Sequence, residues 1–206
     1  IIIHLEMNFL AHFYLSGPSD EVKIGNFIGD YVKGNDYLKY NKLIREGIIT
    51  HRKIDTFTDI HPDVRICKSL FSPKYHKYAG ILIDVIFDHF LATNWEKYSS
   101  ELLDDYIENL YEILASNFEM LPTEVQGFIY RFIENKWMNG YKYIQGIERV
   151  FIGMSKHTSL PDYTSFAMDT LKENYAYLQA KFNSFFPKLI EFVDNESEII
   201  TLKKAG

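Results

Sequence analysis

The chain has 206 residues, of which 47% are hydrophobic and 16% aromatic, and this composition predicts a packed globular domain rather than a disordered chain. Its formal net charge of −6 argues against a general nucleic-acid-binding protein, because that role requires a basic surface. The single cysteine, Cys67, excludes an intramolecular disulfide and a thiolate zinc site, so a cytoplasmic protein is expected. No stretch reaches the roughly 18 apolar residues of a membrane span, and no membrane association is predicted.

The patterned sequence begins at Met7. We therefore interpret residues 1–6 as an N-terminal extension and residues 7–206 as one domain. A short apolar segment then ends in His12, which is a candidate metal ligand. The alternative is a hydrogen-bonded core histidine, and the two interpretations have about equal weight.

The next segment predicts a helix that begins after Ser19, a good N-cap residue, and runs through Tyr31. Asp30 lies among apolar neighbours near its end. This carboxylate is a candidate bridge between metal ions, and a salt bridge to Lys33 or Arg52 is the alternative.

Apolar residues at helical spacing predict a helix from about Lys39 to Ile60. His51, Asp55 and Asp59 are four residues apart and would form one polar stripe on it. One imidazole and two carboxylates suit Mn, Fe, Zn or Mg, depending on the other ligands.

A second polar stripe, formed by Asp84 and Asp88 with His89 beside it, interrupts an apolar run. The run belongs to a helix predicted to begin at 72–73 and to extend to about Trp95. Because carboxylates inside an apolar helix are costly unless a cation meets them, we expect the two polar stripes to face each other across a metal ion.

The rest of the chain predicts further helices after Ser99 and Pro122 and a last long helix from about Pro161 to Asp194, bent near Pro187. No period-two strand pattern of useful length occurs. The sequence therefore predicts an all-α, single-domain compact fold.

The candidate residues are suited to the hydrolysis of a phosphodiester. A divalent metal lowers the pKa of an attacking water and neutralises charge on the phosphoryl oxygens, and a nearby arginine can hold the phosphate. The side chains that could supply these parts are His51, Asp55, Asp30, Asp88, His89 and Arg52. No nucleophile elbow, phosphate-binding glycine loop or His-Glu-x-x-His motif competes with this interpretation.

Four ordered motifs closely resemble those of the acyl carrier protein phosphodiesterases. They are MNFLAH (7–12), GNFIGDYVKGN (25–35), HRKIDTFTD (51–59) and DVIFDHFL (84–91). The similarity continues through Trp137, 154–156 and 185–187, so it covers nearly the whole chain from Met7.

The resemblance implies hydrolysis of the phosphodiester that joins 4'-phosphopantetheine to a serine of holo-acyl carrier protein. It also implies a divalent metal, usually Mn²⁺, with Mg²⁺, Fe²⁺ or Zn²⁺ as alternatives, and a distant relation to the HD-type metal-dependent phosphohydrolases. The implied catalytic residues are Asp30, His51, Arg52 and Asp55, and the implied metal ligands are His12, Asp30, His51, Asp55, Asp88 and His89.

Two points of this assignment stay open. The sequence contains no adjacent His-Asp pair in that order, and Asp88-His89 is the reversed pair. Arg52 matches the family motif and could clamp the phosphate, but an ion pair to Asp30 or Asp55 is an equal alternative.

Carrier proteins are acidic, so an enzyme that acts on them should present a basic docking face. Bases outnumber acids between Lys39 and Lys77. The candidate docking residues are Lys42, Arg45, Arg65 and Lys68, and an ordinary solvated helix face is the alternative.

Two other functions remain in play. The same metal site could act on a nucleotide or another small phosphodiester, since specificity depends on surface features. Alternatively, the chain is a non-catalytic helical binding protein whose polar stripe is a structural salt-bridge network. The sequence does not define the number of metals or the oligomeric state.

Overall fold

A computed structural model describes residues 9–196, and every regular element in this part of the chain is a helix. The predicted extension, residues 1–6, lies outside the described residues. The α-helices are α1 (Phe9–Leu15), α2 (Asp20–Phe27), α3 (Lys42–Ile60), α4 (Pro62–Tyr75), α5 (Ala79–Thr93), α6 (Leu103–Ser116), α7 (Thr123–Glu134), α8 (Ile144–His157), α9 (Thr164–Glu173) and α10 (Tyr175–Glu196). The predicted all-α fold class is confirmed.

Helices α2 and α3 form the closest helix pair, because two glycines let their backbones touch. A Cβ atom on Gly25 would lie 2.0 Å from the carbonyl oxygen of Ile44, and one on Gly47 would lie 2.2 Å from that of Val22. A larger residue at either position would push the helices apart. This contact brings the first two turns of α3 against α2.

Helix α5 is the central helix of the core. It packs against α1, α4, α8 and α10, and residues such as Ile83, Ile86 and Phe90 are completely buried. Its apolar sequence is therefore explained by burial on nearly all sides. None of the described helices is both long and apolar enough to cross a membrane.

Two prolines lie inside helices, and the structure differs from the prediction at the first of them. Helix α4 continues through Pro73 and ends at Tyr75, before His76, whose φ of 48° breaks the helix, so the predicted helix start at 72–73 is wrong. Pro187 lies inside α10, within the range predicted for the last helix. In both cases the carbonyl that loses its N–H partner belongs to an exposed residue, Ser69 or Asn183, and water can satisfy it.

The predicted last helix is in fact two helices, α9 and α10, separated at Asn174. The backbone N–H of Asn174 donates to the carbonyl oxygen of Thr170 at 3.1 Å, and its side-chain amide donates to the same oxygen at 2.9 Å. An asparagine that caps its own helix in this way ends the helix without a proline or glycine.

Candidate metal centre

Three helical side chains and one from a 3₁₀ turn meet at one point of the structure. His12 comes from α1, and His51 and Asp55 come from α3, one turn apart as predicted. The nearest ligand atoms of these three residues all lie within 4.8 Å of one another. Asp30, on the 3₁₀ turn Gly29–Tyr31 rather than on α2, places its Oδ1 3.1 Å from Nε2 of His51. These four residues are called the His-Asp cluster below.

The Nε2 atom of His51 is the centre of the His-Asp cluster. It lies 3.1 Å from Oδ1 of Asp30 and 3.1 Å from Oδ2 of Asp55, while Nε2 of His12 lies 3.5 Å from Oδ1 of Asp55. Nε2 of His51 is buried, yet neither carboxylate contact has the geometry of a hydrogen bond. Two imidazole nitrogens and two carboxylates that converge without hydrogen bonds fit a shared divalent cation.

The two imidazole rings are stacked, with their centroids 4.3 Å apart. Nδ1 of His12 lies 2.7 Å from Oδ1 of Asn26, and Nδ1 of His51 lies 2.7 Å from the main-chain oxygen of Asn26. Both rings therefore direct Nε2 towards the carboxylates, as metal-ligating histidines do when their other nitrogen is hydrogen-bonded. Sequence reasoning missed Asn26, although a polar residue in the apolar run 24–28 was a visible signal.

The pKa values of Asp30, His51 and Asp55 in the His-Asp cluster depend strongly on one another. Burial lowers the pKa of His51, but the contacts with Asp30 and Asp55 outweigh burial and raise this pKa above its ordinary range. Burial raises the pKa of each carboxyl, but the contacts with His51, and for Asp55 also with His12, hold both pKa values below their ordinary range. The two carboxylates therefore require positive charge at this point.

A glycine and an arginine position the cluster from outside. A Cβ atom on Gly29 would lie 2.2 Å from Cγ of His51, so only glycine lets the ring pack against this turn. Arg52 donates to the carbonyl oxygens of Val32 at 2.8 Å and Gly34 at 3.1 Å. Its guanidinium also lies 5.2 Å from the ring centroid of Tyr37. The structure thus engages Arg52 with the segment that follows Asp30 instead of with the carboxylates.

Lys33, the other predicted salt-bridge partner of Asp30, does not contact its carboxylate in the structure. Lys33 donates to the main-chain carbonyl oxygen of Asp30, not to its carboxylate. Within residues 9–196, the ion-pair partners of Asp30 and Asp55 are histidines rather than lysines or arginines. The groups that face these two carboxylates are therefore the imidazoles of His12 and His51.

The predicted ligand Asp88 lies beside the cluster but is hydrogen-bonded elsewhere. Its side chain is completely buried, and its two carboxylate oxygens accept from the backbone N–H groups of Leu10 at 2.9 Å and Ala11 at 2.8 Å. Burial raises the pKa of Asp88 to about 7, against the effect of these two hydrogen bonds. Asp88 thus holds the first turn of the helix that carries His12.

The structure does not bring His89 to the cluster. Its Nδ1 lies 2.7 Å from the carbonyl oxygen of Tyr141, and its Nε2 lies 2.9 Å from the hydroxyl of Tyr175. Both ring nitrogens are therefore used within the core. Asp59, the third residue of the predicted stripe, is exposed and pairs with Lys68 at 2.6 Å.

A cavity of about 680 Å³ opens beside the cluster. His12, Asp30 and Asp55 line one part of it, and Asp84 and Asp88 also reach its wall. The remaining lining residues form a basic group and an apolar group. Its basic residues are Lys68, His76 and Lys77, and its largest apolar residues are Phe87, Phe182, Phe185, Phe186 and Leu189.

The four predicted docking residues lie on two helices. On α3, exposed Lys42 lies 3.8 Å from Glu46, and Arg45 donates to the carbonyl oxygen of Tyr40 at 3.2 Å. On α4, Arg65 is exposed, whereas Lys68 lines the cavity. Among the four, Lys68 is the residue that lines the cavity.

Taken together, these features are compatible with a divalent cation beside a cavity that has room for a ligand. The imidazoles and carboxylates are donors for a borderline cation, and basic side chains also line the cavity.

Comparison with known proteins identifies relatives along most of the chain. The family model described as "Acyl carrier protein phosphodiesterase" matches residues 7–189. Proteins of that name from Photorhabdus laumondii and an Enterobacter species are each 31% identical to the chain, over 92% of the chain and 96% and 99% of their own lengths. The protein of that name from Serratia proteamaculans is 28% identical over 90% of the chain and 96% of its length. No solved structure matches the chain, so the relation to HD-type hydrolases stays a prediction.

Proposed function

The chain belongs to the acyl carrier protein phosphodiesterase family, and on that premise we propose that it is a divalent-metal-dependent phosphodiesterase of holo-acyl carrier protein. The proposed reaction splits the phosphodiester between 4'-phosphopantetheine and the carrier serine. One water is consumed, its oxygen stays on phosphorus, the bond from phosphorus to the serine oxygen breaks, and that serine oxygen takes up a proton.

The observation that carries the proposal is the convergence of the His-Asp cluster on the wall of a large cavity. In this proposal His12 and His51 hold the cation through Nε2, and Asp55 and Asp30 hold it through carboxylate oxygens. A bound divalent cation would lower the pKa of a water ligand and neutralise charge on the phosphoryl oxygens. Mn²⁺ is the proposed metal, and the same donors also suit Mg²⁺, Fe²⁺ or Zn²⁺.

The chain's own residues would supply orientation and exclusion of water. Asp30 faces the cavity from a turn that Arg52 holds in place, so we assign Arg52 to positioning the turn rather than to clamping the phosphate. Asp88 would fix the helix that carries His12. We therefore propose a ligand set without Asp88 and His89.

The basic and apolar groups of the cavity lining fit the phosphodiester and the pantetheine arm of the proposed substrate, respectively. The phosphodiester is anionic, and Lys68 and Lys77 line the same cavity as the cluster. The pantetheine arm is uncharged, and the phenylalanine side of the cavity, including Phe182 and Phe186, offers it apolar contacts.

The proposed docking face consists of Lys42, Arg45, Arg65 and Lys68. Among these, Arg65 is exposed on the helix that lines the cavity, so Arg65→Glu should raise the KM for holo-carrier several-fold while the turnover of a small diester stays unchanged. Lys42→Glu tests the more distant end of the face in the same assay. Unchanged KM values for both variants would contradict the docking proposal without touching the metal site.

The direct test of the function is incubation of the purified protein with Mn²⁺ and holo-carrier, followed by intact-mass measurement of the carrier. We expect the carrier to lose the phosphopantetheine group, and we expect no loss with a chelator or with the Asp55→Ala variant. A folded, metal-bound protein that leaves the carrier mass unchanged would contradict the proposal. Cleavage of cyclic nucleotides or bis(p-nitrophenyl) phosphate alone would favour the small-phosphodiester alternative.

A further inference from the structure

Within residues 9–196, Asn26 is the one residue that contacts both histidines of the cluster through hydrogen bonds. It lies near the end of α2, its side chain is completely buried, and it is not part of the cavity wall. It therefore touches neither the proposed cation nor the substrate. Its contacts nevertheless determine how both imidazoles are presented.

The orientation of the Asn26 side-chain amide follows from its neighbours. Its Nδ2 donates to the main-chain oxygen of His12 and to Oγ of Ser16, both at 2.9 Å. Ser16 in turn donates its hydroxyl hydrogen to the main-chain oxygen of His12 at 2.7 Å, so its oxygen is free to accept. With the NH₂ group placed between two acceptors, Oδ1 must be the atom that faces Nδ1 of His12.

This orientation fixes the proton on each ring. The Oδ1 atom of Asn26 can only accept, so Nδ1 of His12 must donate at this contact of 2.7 Å. The main-chain oxygen of Asn26 can also only accept, so Nδ1 of His51 must donate at its own contact of 2.7 Å. When either ring is neutral, its Nε2 therefore carries the free lone pair.

We propose that Asn26 is a positioning residue that holds both histidines as Nδ1–H imidazoles, His12 through its side chain and His51 through its main chain. The inference rests on the proposed function for the identity of the cation but not for the hydrogen bonds themselves. One residue thus presents two Nε2 atoms to the same point from stacked rings. A histidine with the proton on Nε2 would lose that donor atom.

The packing of α2 against α3 supports this role for the main chain. A Cβ atom on Gly47 would lie 2.7 Å from the backbone nitrogen of Asn26, so the two helices approach at this residue. That approach lets a helix carbonyl reach a side chain on the neighbouring helix. The main-chain half of the contact is therefore insensitive to the side chain at position 26.

Because the side chain of Asn26 contacts His12 and its main chain contacts His51, the His51 signal is an internal control for variants at position 26. In metal-free protein with ¹⁵N-labelled histidine, both Nδ1–H protons should appear in ¹H–¹⁵N spectra and exchange slowly with water. Asn26→Leu should abolish the protected signal of His12 and leave that of His51. Ser16→Ala, which removes one neighbour of the amide and keeps its Oδ1, should leave both signals in place.

Metal affinity supplies a second readout on the same variants. Asn26→Leu should weaken Mn²⁺ or Zn²⁺ binding about 10- to 100-fold by calorimetry, as is typical when a partner of a metal-ligating histidine is removed. Ser16→Ala should keep metal affinity near that of wild type. Should Asn26→Leu fail to fold, wild-type spectra in which Nδ1 of His12 carries no proton would overturn the proposal by themselves.

A His12 signal and a metal affinity that are unchanged in folded Asn26→Leu would also overturn it. The proposed reaction fails separately, if the wild-type protein shows both protected Nδ1–H protons but leaves holo-carrier intact. Failure of the positioning role and failure of the proposed function therefore give different results.

Discussion

His51 on α3 and His89 on α5 are both buried histidines, and the same ring nitrogen of each contacts the main chain. In each, Nδ1 lies 2.7 Å from a main-chain carbonyl oxygen, that of Asn26 for His51 and that of Tyr141 for His89. Both also lie in helices where an aspartate occurs at a neighbouring or one-turn position. On residue type, burial and the Nδ1 contact alone, the two would be assigned the same role.

The difference lies at the second nitrogen. Nε2 of His51 faces Asp30 and Asp55 at 3.1 Å beside a cavity, whereas Nε2 of His89 meets the hydroxyl of Tyr175 at 2.9 Å in an aromatic environment. The pKa values follow: contacts with carboxylates raise that of His51, and burial lowers that of His89. A buried histidine is thus a candidate metal ligand only when its second ring nitrogen is not hydrogen-bonded to another core residue.

The largest expected effect comes from removal of His51, the proposed ligand histidine. His51→Ala should lower metal affinity more than about 100-fold, beyond the effect typical of losing a partner outside the coordination sphere, and should abolish metal-dependent diester cleavage. Calorimetry with Mn²⁺ and the carrier mass assay measure the two effects. Near-normal metal binding in the variant would contradict the proposal that His51, unlike His89, is a metal ligand.

A smaller effect is expected when the His51 ring is displaced but kept. A Cβ atom on Gly29 would lie 2.2 Å from Cγ of His51, so Gly29→Ala should move the ring and weaken metal binding while costing about 1–3 kcal/mol of unfolding free energy. Gly127→Ala is the matched control, because a Cβ atom there meets nothing within 4 Å. Equal metal affinity in both variants would argue that the position of the ring is not critical.

The opposite pattern is expected for His89. His89→Leu leaves the carbonyl oxygen of Tyr141 and the hydroxyl of Tyr175 without their present partner, and should lower the unfolding free energy by about 1–3 kcal/mol. Metal affinity should stay within about threefold of wild type, since the contacts are separate from the cluster. Denaturant unfolding and calorimetry on the same sample check both values. Loss of metal binding in a folded variant would return His89 to the ligand set.

The smallest effect concerns Asp88 and its dependence on pH. Its pKa is raised by burial to about 7, so between pH 4 and 7 the folded chain binds this proton more than the unfolded chain does, and the contribution of Asp88 to stability falls as pH rises. Asp88→Ala leaves two N–H groups of α1 unpaired and costs stability, but it lacks this titration. The stability difference between wild type and variant should therefore be larger at pH 5 than at pH 8. A difference that grows with pH would contradict the assignment.

The sequence predicted what is local. The pairing of His51 with Asp55 follows from helical spacing, and the buried character of α5 follows from its apolar run. The role of Asn26 was not accessible in this way, because its hydrogen bonds cross to α1 and α3. The same holds for His89, whose second partner is 86 positions away in the chain.

Helix ends were harder to predict than helix cores for a related reason. Pro73 was predicted to begin a helix but lies inside one, because an exposed carbonyl tolerates the missing N–H, and this tolerance depends on which face of the helix is solvated. Asp30 was predicted on a helix and lies instead on a 3₁₀ turn, which is what allows it to face His51.

The most direct test is the anomalous difference map of a crystal grown with Mn²⁺. We predict a peak within bonding distance of Nε2 of His12, Nε2 of His51 and a carboxylate oxygen of Asp55, at roughly 2.0–2.3 Å. A crystal that contains Mn²⁺ at Asp88 and His89, or that has no peak at the His-Asp cluster under saturating metal, would contradict the account.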